Sequence, residues 1–120
     1  MVIRFLHTRF RVSDIERSIA FYTKTFGLAL LEQKQSSRGS KLAFLEVPNS
    51  DETIELCEYA PSGPIEIAGK DIVHVAFQID SFDTFSKHID SIGISYSEKP
   101  DGRIAFIDDP DGYEIELIQK

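Results

Sequence analysis

The sequence predicts an α+β chain built from two copies of one module, each reading strand, helix, then three strands (βαβββ). Three observations carry this. Short apolar runs alternate with a period of two, as half-buried strands require. Two amphipathic stretches with helical spacing each end at a glycine, Gly27 and Gly93. Residues also match between the two halves at a nearly constant offset, the sign of an internal repeat.

In chain order, residues 2–12 read as a strand, with Phe5, His7, Arg9 and Arg11 on one face and Leu6, Thr8, Phe10 and Val12 on the other. Ser13 followed by Glu16 fits a capping box, so a helix is expected to about Thr25. Its apolar stripe is Ile15, Ile19, Tyr22 and Phe26. Strands are expected at 28–34, 41–47 and 52–59, separated by a polar loop at 35–40 and a turn at 48–51. Residues 60–70 contain Pro61, Gly63, Pro64 and Gly69 and read as a linker between modules 1–59 and 71–120. Beyond it come a strand at 71–79, a helix at 81–91, a short strand at 94–97 and a turn at Pro100-Asp101-Gly102. Strands at 103–107 and 113–118 complete the second module. The last follows the turn Asp109-Pro110-Asp111-Gly112.

The offsets bind the halves together. His7 and His74 stand 67 residues apart, and Gly27 and Gly93 stand 66 apart. Ala43-Phe44 matches Ala105-Phe106 at 62, and Ile54-Glu55-Leu56 matches Ile115-Glu116-Leu117 at 61. This matching selects Glu116, rather than Glu114, as the partner of Glu55.

Composition narrows the function. With 120 residues, 42% hydrophobic and 28% charged, the chain is expected to form one domain that is neither disordered nor membrane-embedded. A net charge of −7 argues against nucleic acid and anionic membrane as partners and leaves small molecules. One cysteine, Cys57, forms no internal disulfide and suits a reducing, cytoplasmic setting. No leader or spanning segment is expected.

The repeat places one histidine on the first strand and one glutamate on the last strand of each half. Alone, each has an ordinary explanation as an edge or solvated residue. Together, His7, Glu55, His74 and Glu116 form a mixed nitrogen and oxygen set suited to Ni²⁺, Co²⁺, Zn²⁺ or Fe²⁺ rather than calcium. Absent thiolates argue against a structural zinc site. Cys57 reads as a small buried residue, and His88 as surface.

Leu6-His7-Thr8, Arg11-Val12, Ser18 with Phe21-Tyr22-Thr23, Gly27, and Asp109-Pro110-Asp111-Gly112-Tyr113 with Ile115-Glu116-Leu117 together resemble glyoxalase I (lactoylglutathione lyase), of the vicinal-oxygen-chelate superfamily. The resemblance covers the chain from His7 to Ile118. It implies that His7, Glu55, His74 and Glu116 are the metal ligands, with Ni²⁺ or Co²⁺ favoured and Zn²⁺ possible. It implies isomerisation of the hemithioacetal of methylglyoxal and a thiol, such as glutathione, into an S-lactoyl thioester. Glu116 is then the base, with Glu55 serving the opposite face, and Arg11 grips a carboxylate of the thiol. A homodimer with active sites shared between chains is implied as well. Related epimerases usually carry Gln where Glu55 stands. Two departures bear on the thiol. Glutathione-using members carry an Asn shortly after the first Glu ligand, where this chain has Glu58, Tyr59 and Ala60. Their longer lysine-containing loop is here the short run Glu98 to Arg103, in which Lys99 or Arg103 supplies a cation or simply forms a turn. Arg9 shares the face of His7 without support from the family pattern. The alternatives are a non-catalytic binding module of the bleomycin-resistance type and a 2-His-1-carboxylate iron dioxygenase.

Overall fold

Each half of the chain folds one helix onto a four-stranded sheet, and the computed structural model describes residues 1–61, 63–67 and 73–120. Parts of the expected linker (62 and 68–70) and of the expected fifth strand (71–72) lie outside the described residues. The chain divides into two compact units, Met1–Ile65 and Glu66–Lys120.

The first unit runs β1 (His7–Arg11), α1 (Ile15–Phe26), β2 (Ala29–Gln35), β3 (Lys41–Glu46) and β4 (Thr53–Glu58). Its sheet order is β1-β4-β3-β2, so the helix carries the chain from one edge to the other. β1 and β4 are parallel, with Arg9 opposite Glu55 and Arg11 opposite Cys57. The second unit repeats this with β5 (Val75–Ile79), α2 (Phe82–Ser91), β6 (Glu98–Asp101), β7 (Ile104–Asp108) and β8 (Glu114–Gln119), in the order β5-β8-β7-β6. The predicted α+β architecture of paired βαβββ modules is the one observed.

The core of the first unit lies between α1 and one face of its sheet. Ile15, Ile19 and Tyr22 are buried beside Ala43, Leu45, Ile54 and Leu56, and α1 packs on β2, β3 and β4. In the second unit Phe85 and Ile89 of α2 are buried, as are Ala105, Ile107, Ile115 and Leu117. Strand alternation therefore sends the intervening residues, among them Glu55 and Glu116, to the opposite face. Gly27 and Gly93 both take φ 75, the left-handed conformation that ends a helix without a Cβ penalty. Among the described residues no helix is long and apolar enough to cross a membrane.

Several boundaries differ from expectation. β1 begins at His7 rather than residue 2, although Leu6 still accepts a backbone hydrogen bond from Thr53 and Val12 donates one to Cys57. The helix cap is Asp14, not Ser13: its carboxylate accepts from the Arg17 amide at 3.2 Å, and Ser13 instead accepts from the Arg17 guanidinium at 2.8 Å. Glu16 does not reach back to close a capping box; it accepts from the Gln33 side chain at 3.0 Å. Both Ser and Asp are good caps, and the backbone geometry at Asp14 decides between them. Phe26 is half-buried, whereas Ser18 and Thr25 are buried. The expected strand at 94–97 is absent, and Glu98–Asp101 forms the edge strand instead. Pro100 is tolerated there because an edge strand pairs on one side only. The turn accordingly moves to Gly102-Arg103, with Gly102 at φ 62.

Candidate active site

Each sheet presents the same three-residue cluster on the face away from its helix. In the first unit, β1 supplies His7, β4 supplies Glu55 and β3 supplies Phe44. His7 Nε2 stands 3.5 Å from Glu55 Oε2, and the imidazole meets the Phe44 ring edge-on with centroids 5.9 Å apart. In the second unit, His74 Nε2 is within hydrogen-bond distance, 3.0 Å, of Glu116 Oε1. Its ring meets Phe106 edge-on at 6.1 Å. Both histidine side chains are 39% exposed, so they border solvent while their carboxylates sit deeper.

Register produces this equivalence. His7 pairs with Thr53, two residues before Glu55. His74 immediately precedes the Val75–Ile115 pair, which places it level with Glu114, two residues before Glu116. In both units the histidine therefore reaches diagonally across a parallel strand pair to the glutamate. Phe44 and Phe106 lie directly opposite Glu55 and Glu116 on the antiparallel neighbour. In the sequence the phenylalanines mark only the repeat, and their match at 62 residues is the signal for equivalent places beside the histidines.

The turn before β8 is built by Asp109. Its carboxylate accepts from the amides of Asp111 at 2.9 Å and Tyr113 at 2.8 Å, and the side chain is buried. Those bonds fix where β8 starts and hence which residues face the site. Glu114 shares the face of Glu116 but is 7% exposed, and its carboxylate is 4.0 Å from His74 Nδ1.

Three other residues bear on the site. Arg9 donates from Nε to Glu55 Oε1, a contact sequence reasoning did not anticipate because it depends on β1 and β4 being adjacent. This bond is the main reason the guanidinium holds its proton more tightly than usual. Arg11, expected to grip a carboxylate, stacks 4.5 Å over the Tyr59 ring, the region where an Asn is replaced. Cys57 is buried, and burial pushes its thiol pKa up, which leaves an inert side chain rather than a nucleophile. A cleft of about 520 Å³ opens in this unit, lined by Arg9, Leu42, Cys57 and Tyr59 and by the serine-rich loop that includes Arg38. Glu58 is structural: it accepts from the Ile15 amide at 2.9 Å, at the start of α1. His88 is exposed on α2.

The donor chemistry fits a divalent cation. Ligands bound at about 2.1 Å in adjacent octahedral positions lie about 3 Å apart, and the two imidazole–carboxylate separations are 3.5 and 3.0 Å. Each unit supplies one such pair. Among the described residues no group of three or more His, Cys, Asp or Glu side chains is arranged to hold a metal ion by itself.

The sequence profile of the Glyoxalase/Bleomycin resistance protein/Dioxygenase superfamily matches residues 4–117. The chain belongs to this superfamily. Within it, the chain is 33% identical to the lactoylglutathione lyase of Salmonella typhimurium, over 98% of this chain and 93% of the relative. A probable lactoylglutathione lyase of Synechocystis is 35% identical, with 95% and 93% covered. The solved structure of the trypanothione-dependent glyoxalase I of Leishmania major superposes with a TM-score of 0.85 at 28% identity, covering 98% of this chain and 87% of that one.

Proposed function

We propose that the protein is a glyoxalase I-type lyase that isomerises the hemithioacetal of methylglyoxal and a low-molecular-weight thiol to an S-lactoyl thioester. The observation that carries this reading is the His–Glu pair repeated at one register in both sheets, in a chain whose relatives are named lactoylglutathione lyase. His7, Glu55, His74 and Glu116 are the proposed ligands of a divalent cation, with Ni²⁺ or Co²⁺ favoured by the family resemblance and Zn²⁺ acceptable. Such a cation supplies Lewis-acid stabilisation of negative charge on the two neighbouring oxygens of the substrate.

The chain's own residues perform the proton transfer. Glu116 takes the proton from the hemithioacetal carbon and returns it to the adjacent carbonyl carbon, while the hydroxyl proton passes from the first carbon's oxygen to its neighbour's. The C–S bond is retained, one carbon is oxidised and its neighbour reduced, so no external redox partner is needed. Glu116 suits this work because its side chain is 15% exposed, against 4% for Glu55. Phe106 and Phe44 restrict the imidazole rings on which both pairs depend. Arg11, Tyr59 and the cleft beside them are proposed to hold the thiol's anionic tail. The Leishmania relative is trypanothione-dependent, so thiols other than glutathione lie within the family's range. Four ligands require one half-site of each kind, and we assign them to a symmetric homodimer in which the first unit of one chain faces the second unit of its partner.

Two measurements on the purified protein test the reading: elemental analysis, and thioester formation followed in the ultraviolet with glutathione and with other thiols. Bound Ni²⁺ or Co²⁺ that is lost in His74→Ala/Glu116→Ala, together with turnover, supports it. Unchanged metal in that double variant would sink the ligand assignment. Metal binding without turnover on any thiol would favour a binding role.

A further inference from the structure

The two half-sites differ at one register position. Opposite Glu55 on the parallel strand stands Arg9, whereas opposite Glu116 stands Ala76. A residue without reach in one unit is thus replaced in the other by a guanidinium that donates to the carboxylate itself. The two oxygens of Glu55 are divided: Oε1 accepts from Arg9, and Oε2 faces His7 Nε2 at 3.5 Å. Glu55 is only 3% exposed, and a carboxylate so far from water is stable only when paired.

We propose that Arg9 sets the affinity of the cation site, acting as the resident counter-cation of Glu55. It stabilises that carboxylate in the metal-free protein and opposes a divalent cation drawn to the same side chain. The inference rests on reading His7 and Glu55 as ligands. Positive charges that share one carboxylate lie within about 4–6 Å, a range over which each disfavours the other. Arg9 therefore acts in opposite directions on two quantities. It raises the stability of the metal-free chain and lowers the affinity for metal. A residue that merely braced the sheet would raise both.

The test uses the full chain, stripped of metal, as wild type and as Arg9→Met, which keeps length but not charge. Thermal unfolding reads the first effect. Equilibrium dialysis of Ni²⁺ against a competing chelator reads the second. Arg9→Met is expected to unfold at lower temperature without metal and to bind Ni²⁺ about tenfold more tightly. Arg9→Lys, which keeps the charge, is expected to bind Ni²⁺ like the wild type. Should Arg9→Met fail to fold without metal, Arg9→Gln, neutral but still a donor to Glu55, carries the same comparison. Ni²⁺ affinity unchanged or weakened in the neutral variants overturns the proposal alone. A wild-type affinity that His7→Ala leaves unaltered overturns the ligand reading, and the proposal with it.

Discussion

Replacing Glu116 by glutamine separates chemistry from folding. The side chain is 15% exposed and lies 3.0 Å from a histidine that is itself 39% exposed. A carboxamide keeps the size and can still hydrogen-bond the imidazole, and a partly solvated ion pair contributes at most about 1 kcal/mol. The loss of stability should therefore stay within about 1 kcal/mol. The amide cannot accept the carbon proton, and losing a general base costs about 10²–10⁴ in rate, or roughly 2.7–5.5 kcal/mol of barrier. The kinetic effect should thus exceed the thermodynamic one several-fold. Glu55→Gln provides the contrast. It weakens the charge-assisted bond from Arg9 at a carboxylate almost sealed from water, which costs about 1–3 kcal/mol of stability. The assay is saturating turnover on metal-replete protein, with metal content measured on the same sample, beside urea unfolding. Metal-loaded Glu116→Gln with wild-type turnover would refute Glu116 as the base and pass the role to Glu55.

Two further outcomes follow from the geometry. Mixing His7→Ala with His74→Ala chains, each inactive alone, should restore activity if sites are shared between chains, because one heterodimer site recovers all four ligands. No recovery, with subunit exchange confirmed by mass spectrometry, places each site within one chain. For Cys57, burial raises the folded-state thiol pKa, so the folded chain holds this proton more tightly than the unfolded one. Its share of stability is complete below the unfolded value of about 8.5 and declines as pH rises through the folded value. Cys57→Ala should flatten the alkaline fall in melting temperature, and parallel curves for the two proteins would disprove the linkage.

Much of the architecture was legible in the chain because it is written in local chemistry and then written twice. Period-two runs marked strands, Gly27 and Gly93 marked helix ends that require φ above zero, and the offsets from His7–His74 to Glu55–Glu116 marked equivalent positions. Local chemistry was less decisive where two residues offered the same service. Ser13 and Asp14 are both good caps, and only the backbone path selected Asp14. Within 94–97 the Ser97 amide donates to the Phe106 carbonyl of β7 at 2.9 Å, yet no strand forms there, and the ladder with β7 falls to Glu98–Asp101 despite Pro100.

Contacts between strands lie beyond any reading of a single strand. That Arg9 faces His7's side of β1 follows from alternation. That it meets Glu55 depends on β1 lying parallel to β4, 46 residues away, in a register that puts the two opposite each other. The edge-on contacts of His7 with Phe44 and of His74 with Phe106 have the same origin. Residue type and repeat offset singled out the candidate side chains. Sheet order and register decided what each of them touches, because a one-residue slip in pairing would turn every one of these side chains to the other face.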